Sequence, residues 1–358
     1  MKRVAIIGSV GVPAAYGGFE TMVENIIGDN ASDSLSYTVF CSSKDLPSGA
    51  SSYKGAELRY VPLRANGVQS IPYDIWSMLK VVRGYDVVLV LGVSGCSFLP
   101  VFKLLSRSKL IVNIDGMEWR RAKWNSFAKW FLKFSESVAV GYADVVIADN
   151  QGIVDYVAGE YDRGAELIAY GGDHVVCDVA EEERDAVLSK YGVEVGDYAI
   201  SICRIEPENN CATILEAVAL SGMKMMIFIG NWERSEYGRE LKTKYAEFEN
   251  IKIVDAIYDL RETYILRHNS SLYLHGHSAG GTNPSLVEAM HCGCNVVAFD
   301  VVYNRETTEN QSVYFSDVDS LVEAIESKSA IETSVKMLEI AQRRYCWRQI
   351  AQQYESLY

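Results

Sequence analysis

The run Gly280-Gly281-Thr282-Asn283-Pro284-Ser285-Leu286-Val287-Glu288 joins an anion seat to an acid that accepts hydroxyl hydrogen bonds. Paired glycines let backbone N–H groups approach a ligand closely. Asn283 is a good N-cap and Pro284 suits the first helical position, so the spacing predicts a helix starting there. Its free N–H groups and positive dipole end favour phosphate at the loop. Glu288 falls one turn on, on the face of Pro284 and Ser285, with its Cβ tilted toward the helix start. A carboxylate so placed accepts hydrogen bonds from hydroxyls of the molecule whose phosphates the loop holds. Phosphate with vicinal hydroxyls describes a nucleotide, and Gly280, Gly281, Thr282, Asn283, Ser285 and Glu288 are its expected contacts.

Other segments offer complementary chemistry. Arg204 follows an apolar strand, and a guanidinium there suits bidentate binding of a diphosphate. Asp115 ends the apolar run Leu110–Ile114, and Glu118 lies three residues on. Either carboxylate is placed to orient a hydroxyl or to stabilise positive charge developing at a sugar carbon. Asp115 also suits capping of the turn at Gly116. His275, His277 and the group His291-Cys292-Gly293-Cys294 suggest metal ligands, but a metal needs three or four converging side chains, so no metal is expected. His277 is instead expected against the donor.

Four segments together resemble a known family. They are Pro13-Ala14-Ala15-Tyr16-Gly17-Gly18-Phe19-Glu20, Asn113-Ile114-Asp115-Gly116-Met117-Glu118-Trp119-Arg120, Arg204-Ile205-Glu206-Pro207-Glu208-Asn209-Asn210, and His275-Gly276-His277-Ser278 leading into Gly280–Ser285. This set resembles glycosyltransferase family 4, of GT-B fold, and within it a subgroup of bacterial polysaccharide rhamnosyltransferases. The resemblance implies two Rossmann-like doubly wound domains facing a central cleft. It implies a retaining transferase that uses a nucleotide sugar, most simply dTDP-L-rhamnose, without metal or other cofactor. The acceptor would be a lipid-linked saccharide of a capsule or cell-wall polysaccharide. Gly17, Gly18, Arg204, Asn209, His277 and the Gly280–Glu288 set would bind donor, with Asp115 and Glu118 catalytic. Such enzymes usually carry two glutamates separated by seven residues, and the first position is Gly280 here. Many also place a lysine where this chain has Asn209. Three readings stand beside this one. A UDP-hexose donor is the rival to the rhamnose donor within the class. A glycine-rich first turn suggests an NAD-dependent oxidoreductase, although Gly8-Ser9-Val10-Gly11-Val12-Pro13 lacks the third glycine. The lost glutamate and lysine suggest a non-catalytic sugar-binding relic.

These residues need elements to hold them. At 358 residues, 49% hydrophobic and 23% charged, the chain suits two soluble domains. Short apolar runs at Lys2–Ile7, Tyr37–Phe40, Asp86–Leu91, Lys109–Ile114, Asp144–Ala148 and Glu166–Tyr170 read as strands separated by helices. A second series reads at Tyr198–Cys203, Lys224–Ile229, Ile251–Val254, Ser271–His275 and Asn295–Phe299. The pattern predicts an α/β fold: an acceptor-binding domain over 1–172, a nucleotide-sugar domain over 173–340, and a C-terminal helix over 341–358 that returns to the first domain. Val335–Tyr358 reads as helical throughout.

Net charge of −13 argues against a nucleic-acid partner. No apolar run reaches the length of a membrane span, no signal segment is apparent, and eight scattered cysteines suit a reducing cytosol. Charges from Arg120 to Ser135 are all positive, with interleaved aromatics. Trp119–Phe134 reads as a helix with Trp124, Phe127, Phe131 and Phe134 on one face, which suits either packing on the sheet or an anionic bilayer surface. Trp119, Arg120, Lys123 and Trp130 are expected to meet acceptor and an anionic membrane surface, with the protein peripheral at its cytoplasmic side.

Overall fold

The central strands of the first unit are buried on both faces, as their unbroken apolar runs require of a parallel sheet. The computed structural model describes all residues except 15–16, 29–31, 48, 122–123, 328–329 and 331. The chain divides into two units: Met1–Tyr170 with Trp347–Tyr358, and Gly171–Cys346.

In chain order the first unit contains β1 (Lys2–Ile7), α1 (Gly18–Ile26), β2 (Leu35–Ser42), β3 (Ser52–Tyr53), β4 (Ala56–Val61), α2 (Ser70–Val81) and β5 (Val87–Leu91). It continues through α3 (Leu99–Leu105), β6 (Lys109–Asn113), α4 (Ser126–Tyr142), β7 (Val145–Ala148), α5 (Gln151–Tyr161) and β8 (Glu166–Leu167). The sheet order is β3-β4-β2-β1-β5-β6-β7-β8. Only β3 runs antiparallel among the described pairs. The β3–β4 hairpin was not read from the sequence, because its residues alternate apolar with polar over too short a span.

The second unit follows with α6 (Glu181–Tyr191), β9 (Ala199–Ile202), α7 (Cys211–Leu220), β10 (Met226–Gly230), α8 (Glu236–Tyr245), β11 (Ile251–Asp255) and α9 (Leu260–His268). Next come β12 (Leu272–His275), α10 (Pro284–His291), β13 (Val296–Phe299), α11 (Val302–Thr307), β14 (Val313–Phe315), α12 (Val318–Glu326) and α13 (Ser334–Arg344). Its parallel sheet has the order β11-β10-β9-β12-β13-β14. Growth outward from β9 in one direction and then from β12 in the other creates a switch point between them, where the following loops part and leave a crevice.

The last segment is two helices rather than one. α13 ends at Arg344, and α14 (Trp347–Ser356) belongs to the first unit. Trp347, Ile350, Ala351 and Tyr354 enter the core that holds β1, β2 and α1. Lys2 Nζ donates to the Tyr358 carbonyl at 2.8 Å, which ties the first strand to the chain end.

A second helix boundary also differs from the sequence reading. Glu118–Arg120 form one 3₁₀ turn, and α4 begins only at Ser126, where the Asn125 side chain accepts from Ala128 N–H. Capping at Asn125 beats the aromatic periodicity upstream of it. Trp124 therefore stands outside the helix.

Asp74 on α2 is buried and accepts one hydrogen bond, from Gly95 N–H at 2.9 Å. Burial pushes its carboxyl up to about 8. The unfolded value is ~3.9, so the folded state binds more protons between these limits and stability falls as pH rises from about 4 to about 8. Asp74→Asn keeps the acceptor and removes the ionisation. We expect it to stabilise the protein by a few kcal/mol at pH 8, on the order of three times its effect at pH 5. Urea denaturation at the two pH values measures the difference, and a pH-independent effect would contradict a protonated Asp74.

Candidate functional site

At the switch point of the second sheet, the loops leaving β9 and β12 are stitched together. Ser278 donates to the Glu208 carbonyl from both N–H (2.9 Å) and Oγ (2.8 Å), and Asn210 Nδ2 donates to the Gly276 carbonyl at 2.8 Å. Motifs about 70 residues apart thus form one wall, because β9 and β12 are neighbours. Arg204 leaves this wall about one-third exposed, with Glu206 at 3.8 Å, a pair too loose and wet to hold it firmly.

Asn209 is buried and has both polar ends engaged. Its Nδ2 donates to the Arg204 carbonyl at 2.7 Å, and its Oδ1 lies 2.7 Å from His277 Nδ1. Because a carbonyl fixes which end of the amide is Nδ2, Oδ1 must be the acceptor facing the ring, so His277 carries its proton on Nδ1. Asn304 Nδ2 holds the His277 carbonyl at 2.8 Å. The Nε2 edge of the ring lies against Gly280, 3.4 Å from where a Cβ would stand. Gly280 has φ of 110°, open to glycine and strained for a side chain. The two positions at which the chain departs from the family pattern, Asn209 and Gly280, therefore meet at one histidine. His275 is deeply buried, its Nε2 has no hydrogen-bond partner among the described residues, and burial holds its imidazole down to about 3, so it is neutral.

The loop ends as the sequence spacing implies, in α10 with the Asn283 side chain accepting from Ser285 N–H at 2.9 Å and Pro284 at its first position. Ser285 points inward. Its Oγ bonds to the Ile202 carbonyl (2.8 Å) and to Tyr273 Oη (2.7 Å), and Arg267 Nη2 donates to it at 3.2 Å. Glu288 Oε2 accepts from the same Nη2 at 2.6 Å, while Oε1 lies 3.8 Å from His174 Nε2. Burial lowers the His174 pKa, with Glu288 opposing that effect. Arg267 is 3% exposed and sits near the end of α9. Sequence reasoning missed it. A basic residue in the last turn of a helix is common for dipole reasons alone, so nothing local marks it as a partner of Glu288.

The His-Cys-Gly-Cys group does not converge. His291 Nε2 bonds to the Tyr345 carbonyl at 2.9 Å, Cys292 and Cys294 are buried with raised thiol pKa values, and Arg305 is held by Asp300.

In the first unit, the β1–α1 loop ends at Gly17 and Gly18. Gly17 has φ of 127°, and a Cβ there would stand 2.0 Å from Glu20 Oε2, so the turn requires glycine. Glu20 Oε1 accepts from Val10 N–H at 2.6 Å. Burial raises the Glu20 pKa, with Asp115 adding to the effect. Asp115 sits past β6 with φ of 60°, and its N–H donates to Asn113 Oδ1 at 3.0 Å. Asn113 Nδ2 in turn donates to Tyr354 Oη at 2.8 Å, so α14 reaches the Asp115 turn through one amide. That relay was also invisible in sequence.

Glu118 lies on the next turn with both carboxylate oxygens engaged locally, to Arg121 Nε (2.8 Å) and Trp124 Nε1 (3.0 Å). Arg120 lies over the Trp119 ring at 5.1 Å. Lys133 also lies over Trp119, at 4.9 Å, and pairs with Glu160 at 2.8 Å and with Tyr156 Oη. Lys123 lies outside the described residues. α4 buries Leu132, Ser135, Glu136, Ala139 and Val140, and turns Phe127, Trp130 and Phe134 outward.

Comparison with known proteins accords with this division. Residues 1–173 match a domain of unknown function (DUF1972), and residues 189–344 match glycosyl transferases group 1. No curated protein sequence matches the chain. Sucrose-phosphate synthase from Thermosynechococcus elongatus superposes with a TM-score of 0.83 at 16% identity, over 100% of this chain and 98% of that one. Anabaena HepE in complex with UDP-glucose superposes with a TM-score of 0.76 at 18% identity, over 100% and 99%. At such identities these likenesses speak for fold: two Rossmann-like units of GT-B type. The match of residues 189–344 to glycosyl transferases group 1 speaks against the oxidoreductase alternative.

The Asn209–His277 geometry has a direct test. Neutral His277 should appear in nitrogen-detected NMR as the Nδ1–H tautomer. Asn209→Leu removes its acceptor, and the spectrum should shift toward Nε2–H, with a stability loss of about 1–3 kcal/mol for the unsatisfied buried groups. An unchanged tautomer would show that Asn209 does not set it.

Proposed function

We propose that this chain, a glycosyltransferase whose second unit is a group 1 domain, moves L-rhamnose from dTDP-L-rhamnose to a lipid-linked saccharide during bacterial capsule or cell-wall polysaccharide synthesis. The observation that carries the donor reading is the glycine loop opening into α10, with Glu288 held by buried Arg267 one turn inside. The loop and helix start favour the diphosphate, Arg204 adds a mobile cation, and Glu288 receives the ribose hydroxyls. Asp115, set on a turn braced by Asn113, faces the acceptor and the reacting sugar. Glu118 orients that turn through Arg121 and Trp124.

The transfer retains anomeric configuration. The bond from the anomeric carbon to the diphosphate oxygen breaks, and the acceptor oxygen bonds to the same face. Its proton passes to the departing diphosphate, so no enzymic nucleophile is required. Catalysis then rests on holding both partners in place and stabilising the charge that develops. No metal or other cofactor enters this scheme. The protein works peripherally at the cytoplasmic face of a membrane, where a lipid-linked acceptor is presented. Among the described residues no helix is long and apolar enough to cross a bilayer.

A UDP-hexose donor is the second reading, favoured by the likeness to Anabaena HepE, which was crystallised with UDP-glucose. Calorimetry against dTDP, UDP and their sugars decides between them: at a hundredfold excess over Kd the preferred nucleotide should stabilise the fold by ~2.7 kcal/mol. Failure of every nucleotide to bind would leave a non-catalytic relic.

Glu288→Gln should weaken nucleotide binding by roughly 1.5–3 kcal/mol in a folded protein, and wild-type affinity would remove the ribose assignment. Arg204→Ala should weaken binding of the nucleoside diphosphate far more than of the nucleoside. Equal losses in the two titrations would make Arg204 a structural residue.

A further inference from the structure

The crossovers β4–α2–β5, β5–α3–β6 and β6–α4–β7 all run the same way across the first sheet. Right-handed crossovers in one direction lay their helices on one face, so α2, α3 and α4 form a layer side by side, flanked beyond α4 by α5 from the β7–α5–β8 crossover, which carries the exposed acids Asp155 and Glu160. Its inner side is ordinary core: Tyr73 and Met78 from α2, Leu99 and Phe102 from α3, Leu132 and Ala139 from α4. Its outer side is not ordinary surface. Leu104 is 86% exposed, Phe127 74%, Trp130 62% and Leu105 53%, and Trp76 is close to half exposed. Phe127, Trp130 and Phe134 form a ladder of rings with centroids 5.9 and 6.1 Å apart. Scattered exposed apolar residues are normal, whereas several large ones on one layer mark a binding surface.

Charge identifies the occupant. The chain carries a net charge of −13, yet these three helices hold four lysines, Lys80, Lys103, Lys129 and Lys133, and two acids, Asp74 and Glu136. Both acids are buried. The outer side of the three helices therefore presents no carboxylate of its own; Asp144 and Glu160 beside it hold Lys103 and Lys133, which leaves Lys80, over the exposed Trp76 ring at 5.6 Å, and Lys129 to meet headgroups. An anionic bilayer matches both the apolar centre and the cationic rim, and indole rings favour the headgroup boundary.

We propose that the outer surface of the α2–α3–α4 layer docks on an anionic lipid bilayer chiefly by inserting Leu104, Phe127, Trp130 and Phe134. This rests on the transferase reading only for its purpose, since a lipid-linked acceptor lies in such a surface. It alters the mode expected from sequence. Lys133 is engaged by Glu160, Tyr156 and Trp119, so insertion rather than a lysine cluster dominates.

The test is flotation of the full chain with phosphatidylcholine vesicles, with and without phosphatidylglycerol, in the absence of donor and acceptor. Leu104→Ser/Phe127→Ser, at the two most exposed positions, should lower the partition coefficient by about tenfold or more, whereas Lys129→Gln should lower it only a few-fold. Brominated lipid should quench tryptophan fluorescence of the unsubstituted protein. Flotation untouched by the double substitution, absence of quenching, or a protein dimer that the double substitution dissolves would each overturn the proposal. Loss of sugar transfer to a short soluble acceptor with flotation intact would count against the transferase reading alone.

Discussion

A carboxylate one turn inside a largely buried helix must be compensated, and Arg267 does this for Glu288. The reverse holds as well, since a guanidinium with 3% exposure needs a counter-charge. Removing one partner of such a pair costs ~3–5 kcal/mol, because the other is left buried and unpaired. The pair is better understood as an orienting device than as a source of stability. Arg267 touches Glu288 and Ser285 together, and Ser285 reaches Tyr273 and the end of β9. One side chain thus fixes α9, the start of α10 and the neighbouring strand end in mutual register.

That register sets the wall beside it. At the switch point two loops leave adjacent parallel strands in different directions, and their backbone groups need partners that neither sheet nor helix supplies. Asn209, Asn210 and Ser278 supply them. The exchange of a family lysine for Asn209 reads differently in this setting. A buried lysine has no acceptor role, whereas the amide satisfies Arg204 and orients His277 at once. Gly280 completes the arrangement, because its backbone conformation and the nearby imidazole both disfavour a side chain. The two departures from the family pattern are physically linked.

The first unit uses a different economy. Glu20 and Asp115 come together where strands β1 and β6 end, and its outer helical layer buries Asp74 and Glu136. Burying Asp74 and Glu136 carries a desolvation cost, visible in the raised carboxyl of Asp74. Glu136 offsets it with hydrogen bonds from Tyr156 and Tyr161, both at 2.6 Å. The result is three helices with no exposed carboxylate of their own on an acidic chain, which patterning of hydrophobicity alone would not produce.

Much of this was legible in the amino-acid sequence, for local reasons. Buried parallel strands read as unbroken apolar runs, α1 as a 3.6-residue period, and α10 as a cap and a proline at fixed offsets. Those signals lie within a few residues of one another, so Glu288 could be placed on its helix without coordinates. Other features depended on neighbours far along the chain. β3 and β14 were unread because short edge strands owe their pairing to the sheet they join, and β4, between β3 and β2, because Glu57 and Arg59 interrupt its apolar run. α4 began later than its aromatics implied because one cap at Asn125 outweighed periodicity. Arg267 beside Glu288, Asn209 beside His277 and Tyr354 beside Asn113 are separated by 21, 68 and 241 residues. Residue types and spacing determined which chemistry the chain could hold. Which side chains compensate, orient or expose one another was settled only when each unit folded around its own sheet, because burial and partner geometry are properties of the folded chain.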